Sequence, residues 1–227
     1  SGYLTDNIRD IAAGDETTAG NSGGSGPWAM ESFLGRISYN YGDRYYLVGT
    51  LRRDGSRNFG PNNRWGWFPS ISGAWRISQE KFYKSSLINE LKIRLEAGTT
   101  GNSGWSAGIY SPLSTSATPW GSGFLPNAYA NPDLKWESTF TRNIGLNMGL
   151  FKSNLTLEFD YYIKNTDNLL MAAQLPWYMG SNGQGQVSAP TVNVGSMKNS
   201  GWGVTVNTTN MDRKSFRWET SLNLSSV

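Results

Sequence analysis

The stretch "NLTLEFDYYIKN", residues 154–165, puts Leu155, Leu157, Phe159, Tyr161 and Ile163 on one parity and Asn154, Thr156, Glu158 and Asp160 on the other. A period of two marks a β-strand with one apolar face and one polar face. Two kinds of fold use such a strand. A soluble sandwich buries the apolar face against a second sheet. A membrane barrel turns it to lipid and keeps the polar face around a wet lumen.

The flanking sequence repeats the pattern. In "KWESTFTRNIGLNMGLF", Phe140, Ile144, Leu146, Met148 and Leu150 face one way, and Thr139, Thr141, Asn143 and Asn147 the other. Arg142 breaks the apolar parity. "LKIRLEAG" sets Leu91, Ile93, Leu95 and Ala97 against Lys92, Arg94 and Glu96. "ESFLGRISYNY", "RYYLVGTLRR", "WFPSISGAWRIS", "GWGVTVNTTNM" and "FRWETSLNLSSV" supply further strands, about eight in all. "QEKFYKSSLINE" is read as holding a short helical turn.

The connections alternate in length. Short ones fall at 42–43, 151–153 and 212–215, with a medium one at 79–89. Long ones fall at 55–63, 100–135 and 167–197, of which 100–135 is read as irregular and full of Gly, Ser, Thr and Pro. Counted along the chain, every long connection lies at the same end of the sheet. Outer-membrane barrels have this asymmetry, and a soluble up-and-down barrel is compatible with it.

Composition narrows the chemistry. The chain of 227 residues holds 10 Trp, 11 Tyr, 9 Phe and 27 Gly, with 16% charged residues, which suits β structure. It has no Cys and no His. That removes disulfides, thiolate metal sites, the usual zinc ligands and the usual general base. No catalytic residue, metal site or cofactor is therefore expected. The net charge of +3 is small and its cations are scattered, which argues against nucleic acid as a partner. No stretch of about 18 apolar residues is present, so no transmembrane helix is expected.

Two features favour the membrane reading. The strands are about ten residues long, enough to cross a bilayer at a tilt. The polar face carries full charges, among them Arg36, Arg76, Lys92, Arg94, Glu96, Glu158, Asp160, Arg217 and Glu219. These are costly in a sandwich core and cheap beside water. Trp65, Trp67, Phe68, Trp136, Phe151 and Trp202 lie at strand ends and suit interfacial girdles. The alternative is a soluble β-domain that binds carbohydrate.

Longer phrases carry a resemblance. "NYGDRYYLVGTLRRDGSRNFGPNNRWGWFPSISGAWRISQEKF" resembles the signature stretch of the SusC/RagA family of TonB-linked outer-membrane proteins. "INELKIRLEAGTTGN", "NPDLKWEST", "NIGLNMGLF", "LEFDYYIKNTDNLL" and "NVGSMKNSGWGVTVN" resemble its following barrel strands in order. The resemblance implies an all-β, antiparallel up-and-down transmembrane β-barrel, partial at about eight strands, with long extracellular loops. Residues 1–30 are then the end of an extracellular loop, and residues 31–227 part of a TonB-dependent receptor barrel. It further implies the cell outer membrane with its lipid as the setting. It implies import of an oligosaccharide or glycan, or a peptide, with a SusD-like surface lipoprotein and the TonB complex as partners. No plug-like segment or TonB box is identifiable, so the chain is expected to be an internal piece of a barrel that does not transport alone.

Aromatic rings stack on sugars while amides bind hydroxyls. Trp105, Tyr110, Trp120, Tyr129, Trp177 and Tyr178, all in the two longest connections, are therefore the candidate substrate contacts. The phrase "DGSRNFGPNNRWG", residues 54–66, mixes Asp54, Arg57, Asn62, Asn63 and Arg64 with aromatics, but reads as a structural loop held by Asn and Gly turns. Glu158 and Asp160 lie on one face two residues apart, a spacing loosely compatible with a glycosidase pair. The simpler reading is lumen charge paired with a cation of the next strand.

Overall fold

A computed structural model describes residues 28–104, 109–111, 113–176, 178 and 187–227. Eight long strands form one sheet in the order β1-β2-β3-β4-β7-β8-β11-β12. They are β1 (Met30–Tyr41), β2 (Tyr45–Ser56), β3 (Trp65–Arg76), β4 (Ile88–Asn102), β7 (Glu137–Leu150), β8 (Leu155–Asp167), β11 (Ser196–Arg213) and β12 (Phe216–Ser226). Every neighbouring pair is antiparallel. The sheet is open: β1 pairs only with β2, and β12 only with β11.

The register lines the apolar parities up across the whole sheet. Trp75, Ile93, Leu146, Phe159, Val204 and Leu224 form one continuous row. Leu91, Met148, Leu157, Val206 and Leu222 form the row beside it. Leu95, Ile144, Tyr161 and Trp202 form the row on the other side. A slip of one residue in a strand would carry polar or charged side chains, such as Glu158 and Asp160 of β8, into this band, so the alternation itself fixes the register.

No described residue covers that face. The buried hydrophobic residues among those described are Phe59, Phe68, Ile109, Leu134 and Trp136, and none belongs to it. Ile37, Leu95 and Leu222 are 78%, 57% and 53% exposed. A sandwich interleaves such residues between two sheets. Their exposure here is unlike that of a sandwich core.

The turn end is built tightly. Gly42 and Asp43 take positive φ between β1 and β2. Between β7 and β8, Phe151, Lys152 and Ser153 take positive φ in succession. The Asn89 side chain holds that turn, accepting from the Ser153 N–H at 2.9 Å and donating to its Oγ at 2.6 Å. Between β3 and β4 a 3-10 turn forms at Ile77–Gln79, at the edge of the 79–90 segment read as holding a helical turn and mostly before it.

At the other end, both longest connections carry structure that their composition hides. Residues 103–136 contain a hairpin of β5 (Leu113–Thr118) and β6 (Gly121–Pro126). Residues 168–195 contain β9 (Leu170–Ala172) paired with β10 (Thr191–Asn193). β4 also runs on to Asn102, through part of what reads as irregular sequence. All three long connections emerge at one end, as the alternation of lengths predicts.

Aromatic side chains border the apolar band. At the turn end Tyr41, Tyr45 and Trp75 stack in series, with centroids 6.5 and 6.4 Å apart. Trp65, Trp67 and Trp202 lie on the same face toward the long-connection end, and Phe33 stacks on Trp65 at 6.1 Å. Phe68 and Trp136 do not join them. Both are buried in the small core at the long-connection end, where their ring centroids are 5.3 Å apart.

Candidate functional site

The polar face carries a charge network at mid-strand. Arg94 of β4 reaches across β7 to β8, with Nη2 2.7 Å from Glu158 Oε1 and 3.0 Å from Asp160 Oδ2. Its Nε donates to Asn147 Oδ1 at 2.7 Å, and Nη1 lies 3.6 Å from Glu96 Oε1. Asn143 donates to Asp160 Oδ1 at 3.0 Å. The strand in between makes room with Gly145, where a Cβ would stand 2.7 Å from both Arg94 Nη2 and Asp160 Oδ1. The two carboxylates are therefore ion-paired as expected, but to a cation two strands away and not on the next strand. Side-chain exposures of 21–46% for Arg94, Glu158 and Asp160 keep the network wet, so each pair contributes roughly 1 kcal/mol or less.

The 54–66 phrase forms a clasp. Asp54, Ser56, Asn58 and Phe59 are buried. The Phe59 ring packs 4.8 Å from Trp136, and Trp136 Nε1 donates to the Arg64 carbonyl at 3.3 Å. Asn58 Nδ2 donates to the Ser103 and Gly104 carbonyls at 3.2 and 3.3 Å. Asn63 Nδ2 donates to the Asp133 carbonyl at 3.0 Å. Gly60 must be glycine, since a Cβ there would lie 2.3 Å from the Pro132 carbonyl oxygen. Asn62 is exposed, so the amides that tie the loop down are Asn58 and Asn63. Every one of these contacts holds the chain to itself, in keeping with a structural loop.

The two longest connections are joined above the sheet. Ala128 and Ser188 form a parallel bridge. Tyr129 N donates to the Ser188 carbonyl at 3.0 Å, and Ser188 N to the Asn127 carbonyl at 2.8 Å. Asn193 works as a staple, accepting from Lys135 N and donating to the Lys135 carbonyl, both at 2.8 Å. Asn131 adds a bond to the Thr191 carbonyl at 2.9 Å.

Four of the six candidate contact residues lie in these two connections and are exposed. They are Tyr110 at 63%, Trp120 at 93%, Tyr129 at 38% and Tyr178 at 73%. Ser111 Oγ donates to the Ala128 carbonyl at 2.6 Å, which ties the Tyr110 segment to the Tyr129 segment. Trp120 stands apart, at the tip of the β5–β6 hairpin. Trp105 and Trp177 lie outside the described residues. The bridge and the Asn staple are what the sequence does not disclose. Asn131 and Asn193 look like ordinary loop residues until the two connections are brought together.

Known proteins carry similar sequences and the same fold. The family described as "TonB dependent receptor-like, beta-barrel" matches residues 4–227. TonB-dependent receptor P39 of Formosa agariphila is 38% identical over 204 residues, 87% of this chain and 19% of that protein. TonB-dependent receptor SusC of Bacteroides thetaiotaomicron is 35% identical over 206 residues, 86% of this chain and 20% of that protein. The chain thus spans about a fifth of the length of these relatives. A solved structure of the RagAB peptide transporter superposes with a TM-score of 0.79 at 30% identity, covering 87% of this chain and 22% of that one. The siderophore receptor PirA of Pseudomonas aeruginosa shares the fold, with a TM-score of 0.54 at 16% identity. The chain belongs to the TonB-dependent receptor β-barrel family of the outer membrane, its homologues SusC among them, with its apolar face as the lipid surface and its long connections toward the cell exterior.

Proposed function

We propose that this chain forms wall and outer-mouth structure of an importer that takes an oligosaccharide or glycan, or a peptide, across the outer membrane. The observation that carries the reading is the pair of stapled connections, which contain the exposed Tyr110, Trp120, Tyr129 and Tyr178, at the end of a barrel wall of TonB-dependent type. Exposed aromatics on a rigid base suit stacking on sugar rings or on peptide side chains. In this reading a SusD-like surface lipoprotein sits over the mouth, and the TonB complex supplies energy. Support comes from SusC and from the structures of RagAB, a peptide importer. The protein acts as a transporter and carries out no chemistry on its cargo.

The test is binding by the full-length receptor, with a glycan panel and a peptide panel as ligands. Trp120→Ala is expected to weaken binding by about 1–3 kcal/mol, the range for losing one well-placed stacking residue. Asn63→Ala is expected to lower the yield of folded receptor and leave the affinity of the folded fraction unchanged. Unchanged affinity after removal of all the candidate aromatics would place the cargo site elsewhere.

A further inference from the structure

Arg142 is out of place by the rule that orders its face. Its partners across the sheet are Ala97 on β4 and Ile163 on β8, both on the lipid-facing parity. From the row of Tyr41 and Tyr45 to its own, it is the one charged side chain among the described outward-facing residues. It is exposed, and no described carboxylate forms a salt bridge with it. The nearby Glu96 belongs to the opposite face, where it pairs with Arg94 at 3.6 Å. The Arg142 guanidinium lies 5.0 Å from the Phe140 ring centroid. Phe140 is two residues closer to the long-connection end, so the charge is directed toward the outer surface of the membrane. Long cationic side chains in an apolar band reach for headgroups in this way.

A second observation lies beside it. An apolar groove of about 570 Å³ runs along the same face, lined by Leu47, Ile71, Gly73, Ala97, Ile144 and Ile163, with Arg142 at its rim. Gly73 and Ala97 create it by leaving out side-chain volume. A Cβ at Gly73 would meet nothing closer than a backbone oxygen at 3.9 Å, so packing within the sheet does not require a glycine there. The volume is within the roughly 300–1,000 Å³ usual for clefts that hold a ligand. Lys198, exposed on the same face one row further out, adds positive charge on that side.

We propose that this groove and Arg142 form a binding site for a phosphate-bearing lipid of the outer leaflet, with an acyl chain in the groove and the phosphate on the guanidinium. The pairing fits both halves of one amphipathic molecule, and basic side chains at bilayer depth recognise lipid headgroups by this means. The proposal rests on the lipid-facing assignment of the sheet and is independent of the cargo.

The experiment is native mass spectrometry of the delipidated full-length receptor in detergent, titrated with monophosphoryl lipid A and with the same lipid stripped of phosphate. The wild type is expected to hold the phosphorylated form about fivefold more tightly, the contribution of roughly one cation at a membrane surface. Arg142→Gln should erase that preference, and Arg142→Lys should keep most of it. Gly73→Leu, which fills the groove, should weaken both lipids and leave the preference intact. Heat-modifiable gel mobility confirms that each variant is a folded barrel, and Arg142→Met, which also removes the charge, serves if Arg142→Gln does not assemble. A wild type that binds both lipids equally overturns the proposal. So does an Arg142→Gln receptor that keeps the preference, or a Gly73→Leu receptor that binds both lipids as the wild type does.

Discussion

Gly145 holds a place where any side chain would stand between Arg94 and Asp160. Gly145→Val is expected to push the guanidinium off its carboxylates and to destabilise the barrel by about 1–3 kcal/mol, the cost of forcing extra atoms into a filled space. Thermal unfolding of the receptor in detergent reads this directly. Lys152 presents the opposite case, an L-residue held at positive φ in the β7–β8 turn. Lys152→Gly relieves that conformation and is expected to raise stability by a few tenths to about 1 kcal/mol, after allowing for the looser unfolded chain. Glu80, in the connection between β3 and β4, titrates predictably. Its carboxyl lies below its ordinary value because it accepts hydrogen bonds from the Tyr45 hydroxyl, the Trp75 indole and Arg44. A lowered carboxyl contributes stability above the unfolded value and loses it as pH falls through the folded one. Glu80→Gln should therefore melt slightly earlier than wild type above pH 4.5, the ordinary value, and match it once the wild-type carboxyl is protonated at lower pH. None of these three roles was legible in the sequence. Each depends on a neighbour that the chain brings in from a distant position or on a backbone angle that residue type does not report.

Strands were the most legible elements, because alternation is written into each of them and the register keeps nearly every charge off the apolar band, Arg142 being the exception at mid-face. Phe159, in the middle of the band, tests this. Phe159→Arg should cost about 2–4 kcal/mol and block assembly, whereas Thr141→Arg, on the lumen face, should be tolerated. Heat-modifiable mobility distinguishes the two. The β5–β6 hairpin escaped notice for a physical reason. "LSTSATPWGSGFLP" carries no apolar alternation for a period-two reading to find. The clasp was legible as a structural loop, yet its buried anchor was not, because Phe59 looks like any loop aromatic. Phe59→Ala should destabilise the folded receptor by about 3–5 kcal/mol, as full-size core truncations do. Its effect should appear in the denaturation midpoint and not in the affinity for cargo.

The whole molecule is one curtain with a wet side and an oily side. Its resemblance to a known receptor family was visible in long phrases such as the one ending "WGWFPSISGAWRISQEKF". The joining of its two longest connections was not, because it arises only where residues 127–135 and 188–193 meet. An uncovered apolar face should make the chain depend on amphiphile: dilution below the micelle threshold is expected to drive it into aggregates, detected by light scattering. The bare edges of β1 and β12 would add to that tendency.

The clasp also bears on the order of events during assembly. It joins Asn63 to Asp133, 70 positions apart in the chain, and its pocket does not exist until β7 has docked beside β4. Contacts of such long range form late, after the loop-closure entropy has been met by the strands between them. A hairpin zipped one residue out of step would leave Phe59 with no seat and Asn58 with no carbonyls. The buried latch therefore rewards only the correct alignment, and once shut it adds to the barrier that opening must cross. That makes it a source of longevity: a barrel wall that turns over slowly because its last contact to form is the first that must break.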